Sequence, residues 1–437
     1  MKKLIGYGII VLLVVLVSGC TTRRGDKKFH IEYMFPGSPD IVKRNTELVK
    51  LFEKENPEIE VKLTNEPDWA RYTVKVLTRV AGGMPPDLIC NSMMDSSRFV
   101  RKGLIRPLDD LIAADPEMQK LIADIYPQSI YTNALYKGHS YLLPAWQNPA
   151  ILFYNLKIFQ EAGIPEPDYT WDIPHLMKVA QKLTRDFNGD GRFDQFGFLY
   201  DIWNPDAKLW PWGLSSFNKD FTRCLINTEP VIKRLEWWQT QTDRYHAMPS
   251  LEERADRIKG QMFMTGKVAM MVGMSYRKNL FLRNKDLQWR MTLWAKGPVR
   301  RTAHNDVVYW GMLKSTKYPE AVWRFMKFLL GPESQRIHVK TGDIPVLKTV
   351  LNENLHWVPG QPPKSNQAMY DSLAYSAQES FFWDREIFDV AWREMDPALV
   401  LVPPQKTVRA ASMAAYQAVE RLLKERQANA EQNGKQR

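Results

Sequence analysis

The amino-acid sequence predicts an α/β fold, and three observations carry that prediction. Between Phe29 and Cys90, β-prone apolar runs alternate with amphipathic runs in the order strand–helix–strand–helix–strand. That order suits a sheet covered by helices. Gly and Pro cluster where each run must stop, at Pro36–Pro39, Asn56–Pro57 and Gly82–Pro86. The 437 residues are 44% hydrophobic and 25% charged, ordinary for a folded protein, and 23 Gly with 28 Pro exclude a collagen-like or mainly disordered chain. At about 100–200 residues per domain, this length fits two to four domains, most simply two.

The elements follow in order. Phe29–Phe35 reads as the first strand, Ile41–Glu53 as an amphipathic helix and Ile59–Leu63 as the second strand. Asp68–Ala81 is a helix stopped by Gly82 and Gly83, and Asp87–Cys90 is a short buried strand. Residues 99–126 read as helical with a break after Gly103. Tyr141–Trp146 and Ala150–Tyr154 are two short strands set apart by Asn148 and Pro149, because proline weakens a strand assignment. Ile158–Ala162 and Leu176–Leu183 read as helices, the second ending at a polar loop from Asp186. Lys259–Gly266 is helical, and Val268–Val272 and Trp289–Trp294 are strands. Val307–Met312 is a strand followed by a helix over Tyr318–Leu330. The last long helix spans about Ser412–Gln427, before a polar tail. Trp237 and Trp238, on a helix with Leu235, read as core. No internal repeat or heptad pattern is present.

The first twenty residues form a separate unit. Lys2 and Lys3 precede an apolar run from Leu4 to Val17, too short for a comfortable membrane span and suited to an export signal. Leu16-Val17-Ser18-Gly19-Cys20 resembles the lipobox of bacterial lipoproteins. The resemblance implies a signal peptide over 1–19, lipidation of Cys20, and a polar tether over 20–27. The expected location is the bacterial cell envelope, with the membrane reached through the lipid anchor only. Of three cysteines, Cys90 and Cys224 then remain, each among apolar or helix-forming neighbours, and read as isolated core thiols.

A net charge of +11 permits contact with nucleic acid, an anionic surface or an acidic ligand, and selects none of them. Lys27-Lys28 and Arg300-Arg301 are short basic pairs with no recognisable nucleic-acid module, so no nucleic-acid partner is expected. H-E-x-x-H, C-x-x-C, G-x-S-x-G, P-loop and dinucleotide fingerprints are absent from the sequence. The easy enzyme assignments therefore fall away. A glycosidase would need two opposed carboxylates, and no pair is marked out.

Several ordered segments resemble the bacterial extracellular solute-binding proteins that feed sugars to ABC importers. They include Asp87-Leu88-Ile89, Leu142–Trp146 leading into Leu152-Phe153-Tyr154-Asn155, and Phe159 with Ala162-Gly163-Ile164-Pro165. Trp171, Leu176, Phe263 and Gly266-Lys267-Val268-Ala269-Met270 follow. Gly311, the helix carrying Glu320, Ala321, Trp323, Phe325 and Phe328, and the Gly342, Ile344, Pro345 turn complete the series. The resemblance implies a two-lobed periplasmic-binding-protein-like fold of type II with an interlobe ligand cleft. Lobe one would be 28–146 plus 297–342, and lobe two 147–296 plus 343–428, with a polar tail over 429–437. The implied function is non-enzymatic. A monomer captures a sugar or short oligosaccharide by closure and delivers it to a permease and ATPase complex. A secreted carbohydrate-active enzyme and a cell-surface glycan-binding adhesion lipoprotein stay open as alternatives, told apart by turnover or by binding without closure.

Sugar rings expose apolar C–H faces and hydroxyl rims, so a cleft needs flat aromatic groups beside polar ones. The 15 Trp and 17 Tyr supply candidates. Trp146 and Gln147 stand just after a strand, and Tyr276 and Arg277 follow another. Trp310 ends the strand before Gly311. Trp203, Trp210 and Trp212 crowd a Pro/Gly-rich loop, and Trp383 sits near mixed charge. Gly37 and Ser38 allow close approach after the first strand. Asn91, Ser92 and Asp95 offer donors and acceptors after the Asp87–Cys90 strand. No catalytic residues are assigned.

Asp186, Asn188, Asp190, Arg192 (through its carbonyl) and Asp194 stand in D-F-N-G-D-G-R-F-D. This spacing is that of an EF-hand calcium loop, with Gly191 at its sharp turn, and it suits structural Ca²⁺. The twelfth position is Gly197 where that loop expects Glu, so a distant carboxylate would have to replace it.

Overall fold

The computed structural model describes residues 28–202, 204–220, 222–254, 260–355, 366–377, 384–399 and 404–435. Cys20 with residues 1–27, Trp203, Lys259 and Trp383 lie outside the described residues.

The opening alternation is realised as β1 (Phe29–Pro36), α1 (Pro39–Glu55), β2 (Ile59–Glu66), α2 (Trp69–Ala81) and β3 (Leu88–Ser92). Asp68 caps α2, its Oδ1 accepting from the Arg71 N–H at 2.8 Å. The stretch read as one broken helix is instead α3 (Met93–Arg101), α4 (Asp109–Ala114), α5 (Pro116–Ala123) and α6 (Ser129–Thr132). Ser92 caps α3 and Asp115 caps α5 through their side chains, whereas α4 and α6 start without a side-chain cap. Then come β4 (Leu142–Asn155), α7 (Leu156–Glu161), α8 (Ile173–Leu183), β5 (Phe196–Asp201) and α9 (Glu229–Asp243). The chain continues through α10 (Leu251–Arg254), α11 (Gln261–Met264), β6 (Val268–Met274), α12 (Arg277–Phe281), β7 (Trp289–Leu293) and β8 (Ala303–Met312). It ends with α13 (Pro319–Leu330), α14 (Pro332–Lys340), α15 (Lys348–Leu351), α16 (Gln367–Leu373), β9 (Ser376–Ala377), α17 (Arg385–Leu399) and α18 (Val408–Lys435). The last helix thus extends as far as Lys435, into the segment read as a polar tail.

The strands join in the order β2-β1-β3-β8-β4-β6-β5, with β7 on β4 and β9 on β8. β1, β2 and β3 are parallel, and β8 and β4 close the first lobe antiparallel. The two short strands expected at 141–154 are one strand. From Leu142 to Pro149, β4 pairs with β8, and from Ala150 onward it pairs with β6 and β7. Pro149 stands at the change of partner, and its carbonyl accepts from the Ser275 N–H at 3.0 Å. β8 makes the return crossing: Ala303 and His304 pair with β9, then Asn305 to Gly311 run beside β4. Two lobes therefore hang on shared strands.

All of β4 is buried. In its second half Leu152 and Tyr154 face one apolar cluster, while Ile151 and Phe153 face another with Phe263, Phe281 and Trp289. A strand covered on both faces reads as a continuous apolar run, as Ala150–Tyr154 does. Cys90 and Cys224 are free and buried, as read from their neighbours, and burial pushes both thiols up to about 12. Among the described residues no helix is long and apolar enough to cross a membrane.

Candidate functional site

A cleft of about 550 Å³ lies where the crossing strands meet the ends of α1, α2, α3, α12 and α17. Period-two geometry decides which strand residues reach it. Trp146 and Asn148 on β4 pair with Val308 and Asp306 on β8, and all four line the cleft. Gln147 lies between them and points the other way. It is fully buried, donates to the carbonyls of Tyr126 and Pro345 at 2.8 and 3.1 Å, and accepts from Asn305 at 2.9 Å.

Lobe one supplies Ser38 and Asp40 at the start of α1, Trp69 at the start of α2, and Ser92 with Asp95 at the start of α3. Trp69 is 36% exposed. Ser92 Oγ donates to Asp95 Oδ2 at 3.2 Å and accepts from the Asp95 N–H at 3.4 Å. Burial raises the Asp95 carboxyl, opposed by Arg385 and Arg98. The other wall holds Tyr276, Asn279 and Arg283 around α12, Thr341 and Asp343 after α14, and Arg385. Burial pushes the Tyr276 hydroxyl up to about 12. Gly342 has φ +84°, and a Cβ there would stand 2.0 Å from the Asn279 amide, which donates to the Thr341 carbonyl at 2.6 Å. Only glycine fits that turn.

Beneath the floor lies Arg44, 2% exposed. Its Nη1 donates to Asp343 Oδ2 at 2.5 Å and to Thr341 Oγ1 at 3.2 Å. Its guanidinium carbon sits 4.3 Å from the Trp146 ring centroid, a cation–π contact that fixes the indole plane. His338 also packs on that indole, rings 5.2 Å apart, and burial with the Arg44 charge holds its imidazole neutral. Asp343 also accepts from Asn148 Nδ2 at 3.5 Å, and Asn148 Oδ1 accepts from Ser275 Oγ at 3.1 Å. Asp306 is half-buried, and burial followed by the Asp343 charge pushes its carboxyl up to about 6.

Of the residues read as ligand candidates, Ser38, Ser92, Asp95, Trp146 and Tyr276 come together in this cleft. The others take up different work. Trp310 is fully buried, its Nε1 donating to the Tyr33 hydroxyl at 3.2 Å and its ring edge-on to His338. Trp210 is fully buried and donates to Asp206 at 3.0 Å. Trp212 packs on Trp237 and under Arg234, away from the cleft. Arg277 turns to Asp201 at 2.9 Å, and Asn91 is buried against Thr73. Gly37 is buried with φ +131°, forming the turn that presents Ser38.

Sequence reasoning missed Trp69, Asn148, Asp306 and Asp343. Trp69 follows a helix cap in an otherwise polar stretch, a signal that an exposed ring is placed on purpose. Asp343 interrupts the Gly342–Pro345 turn with a charge. Asp306 carries no such mark.

In the predicted calcium loop Asp186 accepts from the Gly189 and Gly191 N–H groups at 2.7 and 2.9 Å, which hold its carboxyl below the usual carboxylate range. Asp194 accepts from the Phe187 N–H at 2.8 Å. These bonds turn the loop back around the Asp186 carboxylate. Among the described residues no group of three or more His, Cys, Asp or Glu converges on one point.

The two shared strands, the interlobe cleft and its ringed polar floor define a two-lobed binding protein. Residues 40–336 match the bacterial extracellular solute-binding protein family, and the chain belongs to it. A lipoprotein of Streptomyces antibioticus is 26% identical over 298 residues, 64% of this chain and 62% of that protein, so this chain spans less than two thirds of that relative's length. A multiple sugar-binding protein of Streptococcus mutans is 30% identical over 190 residues, 42% of this chain and 41% of that one. Among solved structures, an ABC substrate-binding protein of Listeria monocytogenes in complex with cycloalternan superposes with a TM-score of 0.79 at 22% identity, covering 91% of this chain and 99% of that one. The fold is thus the two-lobed α/β architecture of binding proteins. The family is one of binders rather than enzymes, and its members work outside the cytoplasm in the bacterial envelope.

Proposed function

We propose that the chain is the solute-capturing component of an ABC importer, taking a sugar or short oligosaccharide between its lobes and presenting the closed complex to a permease and its ATPase. The observation that carries this reading is the cleft itself. Tyr276 and the exposed Trp69 offer rings beside Asp95, Asn148, Asn279 and Asp306, with Trp146 set in the floor, the pairing of apolar plates and polar rims that a sugar demands. The sugar ligands named for relatives support it. Calorimetry of the purified chain against a panel of mono- and oligosaccharides tests it. Binding without turnover is expected, and Trp146→Ala should weaken it by about tenfold or more, in line with loss of a buried aromatic anchor. Failure of all saccharides, with another solute bound well, overturns the reading.

The lobes would divide near Pro149 on β4 and near Asn305 on β8, and the working unit would be a monomer. Cys20 would carry the lipid anchor. The 186–194 loop would hold Ca²⁺ through Asp186, Asn188, Asp190, the Arg192 carbonyl and Asp194, stiffening lobe two. Ca²⁺ at about 100 times its Kd should then add about 2.7 kcal/mol, raising the melting temperature by a few degrees, reversed by chelator. An unchanged melt argues against an occupied loop.

A further inference from the structure

The charge pairing inside the cleft is uneven. Four carboxylates line it: Asp40, Asp95, Asp306 and Asp343. Asp40 faces Arg283 across the opening at 3.5 Å. Asp343 is paired with Arg44 at 2.5 Å. Asp95 lies in the field of Arg385 and Arg98. Among the described residues Asp306 has no cation and no side-chain hydrogen bond, and its nearest charged influence is another acid, Asp343. It opens on the cleft at the floor, one cross-strand step from the Trp146–Val308 pair.

Closing the lobes over a ligand removes water from this carboxylate. A charge taken out of water is costly unless it meets an opposite charge or several donors. A neutral sugar supplies hydroxyl donors but no counter-charge. A uronate adds a second negative charge and is repelled. A ligand ammonium supplies both donor and counter-charge.

We propose that the preferred ligand is a saccharide bearing a protonated amino group, with Asp306 as the counter-ion that selects it. This rests on the saccharide reading above, and it runs against the acidic ligand that the overall positive charge allows. Asp306 is here a specificity-determining residue.

The test is calorimetry of the purified chain at pH 7.5 against matched disaccharides of the gluco, galacto and manno series. In each series the probes are the free 2-amino, N-acetylated, neutral and uronate forms. The 2-amino form of at least one series should bind about tenfold or more tighter than its neutral and N-acetylated counterparts, and the uronate weakest. Asp306→Asn should abolish the amino preference, so that the amino and neutral forms bind alike. Asp306→Glu should keep it, which guards against a folding defect in the first variant. If neutral disaccharides bind as tightly as amino ones in the native chain, the inference is overturned and the saccharide reading stands. If no saccharide binds, the saccharide reading falls and takes the inference with it.

Discussion

Asp306 illustrates how one side chain couples recognition to stability. Its neighbours are Asp343 after α14, Asn148 on β4 and Tyr276 beside α12, with Arg44 committed to Asp343. Its carboxyl moves from an ordinary 3.8 to about 6, through burial first and Asp343 second. A carboxyl raised by folding contributes stability only while protonated. That contribution is complete below about pH 4 and is lost as pH rises through about 6. Asp306→Asn should therefore match the native chain below about pH 4 and exceed it at pH 7.5 by about 1–3 kcal/mol. Denaturant melts at the two pH values check this, and a constant difference would count against a buried, ionising Asp306.

The elements show where sequence reasoning reached and where it stopped. Strand ends were legible, because Gly, Pro and cap residues mark them, and so Ser38, Ser92, Asp95 and Tyr276 fall in the cleft; Trp146 falls there too, although it lies inside β4 and not at a strand end. Gln147 and Trp146 look alike in sequence, and only the pairing register assigns them to opposite faces. Pro149 suggested a break because a proline cannot serve a continuous ladder, yet it falls where β4 exchanges one partner for another. Asp306 and Asp343 come from distant stretches, and the topology alone brings them beside Asn148. The same holds for Asp384 before α17, which accepts from Arg426 of α18 at 2.6 Å and pairs with Arg101 of α3 at 2.7 Å. Asp384→Ala should cost about 1–3 kcal/mol, since both arginines are only partly buried. Hydrogen exchange should quicken along α18 while the β1–β3 core stays protected, and uniform protection would deny Asp384 that role.

For the whole molecule, two lobes on shared strands predict hinge closure. A bound saccharide should shrink the radius of gyration in small-angle scattering, and at about 100 times its Kd it should add about 2.7 kcal/mol to stability. Unchanged dimensions with tight binding would mean that the lobes are already shut. The strands that join the lobes also carry Trp146, Asn148, Asp306 and Val308 into the cleft. The ligand therefore rests on the axle as well as between the jaws. A substitution on the axle alters the grip and the torsional stiffness together, whereas one on Trp69, Asp40 or Arg283 alters the grip alone. Lineages that change their diet should accordingly rewrite the jaws freely and the axle seldom. An axle change such as loss of the acid at position 306 would then mark a shift in the kind of solute carried, not a refinement of its fit.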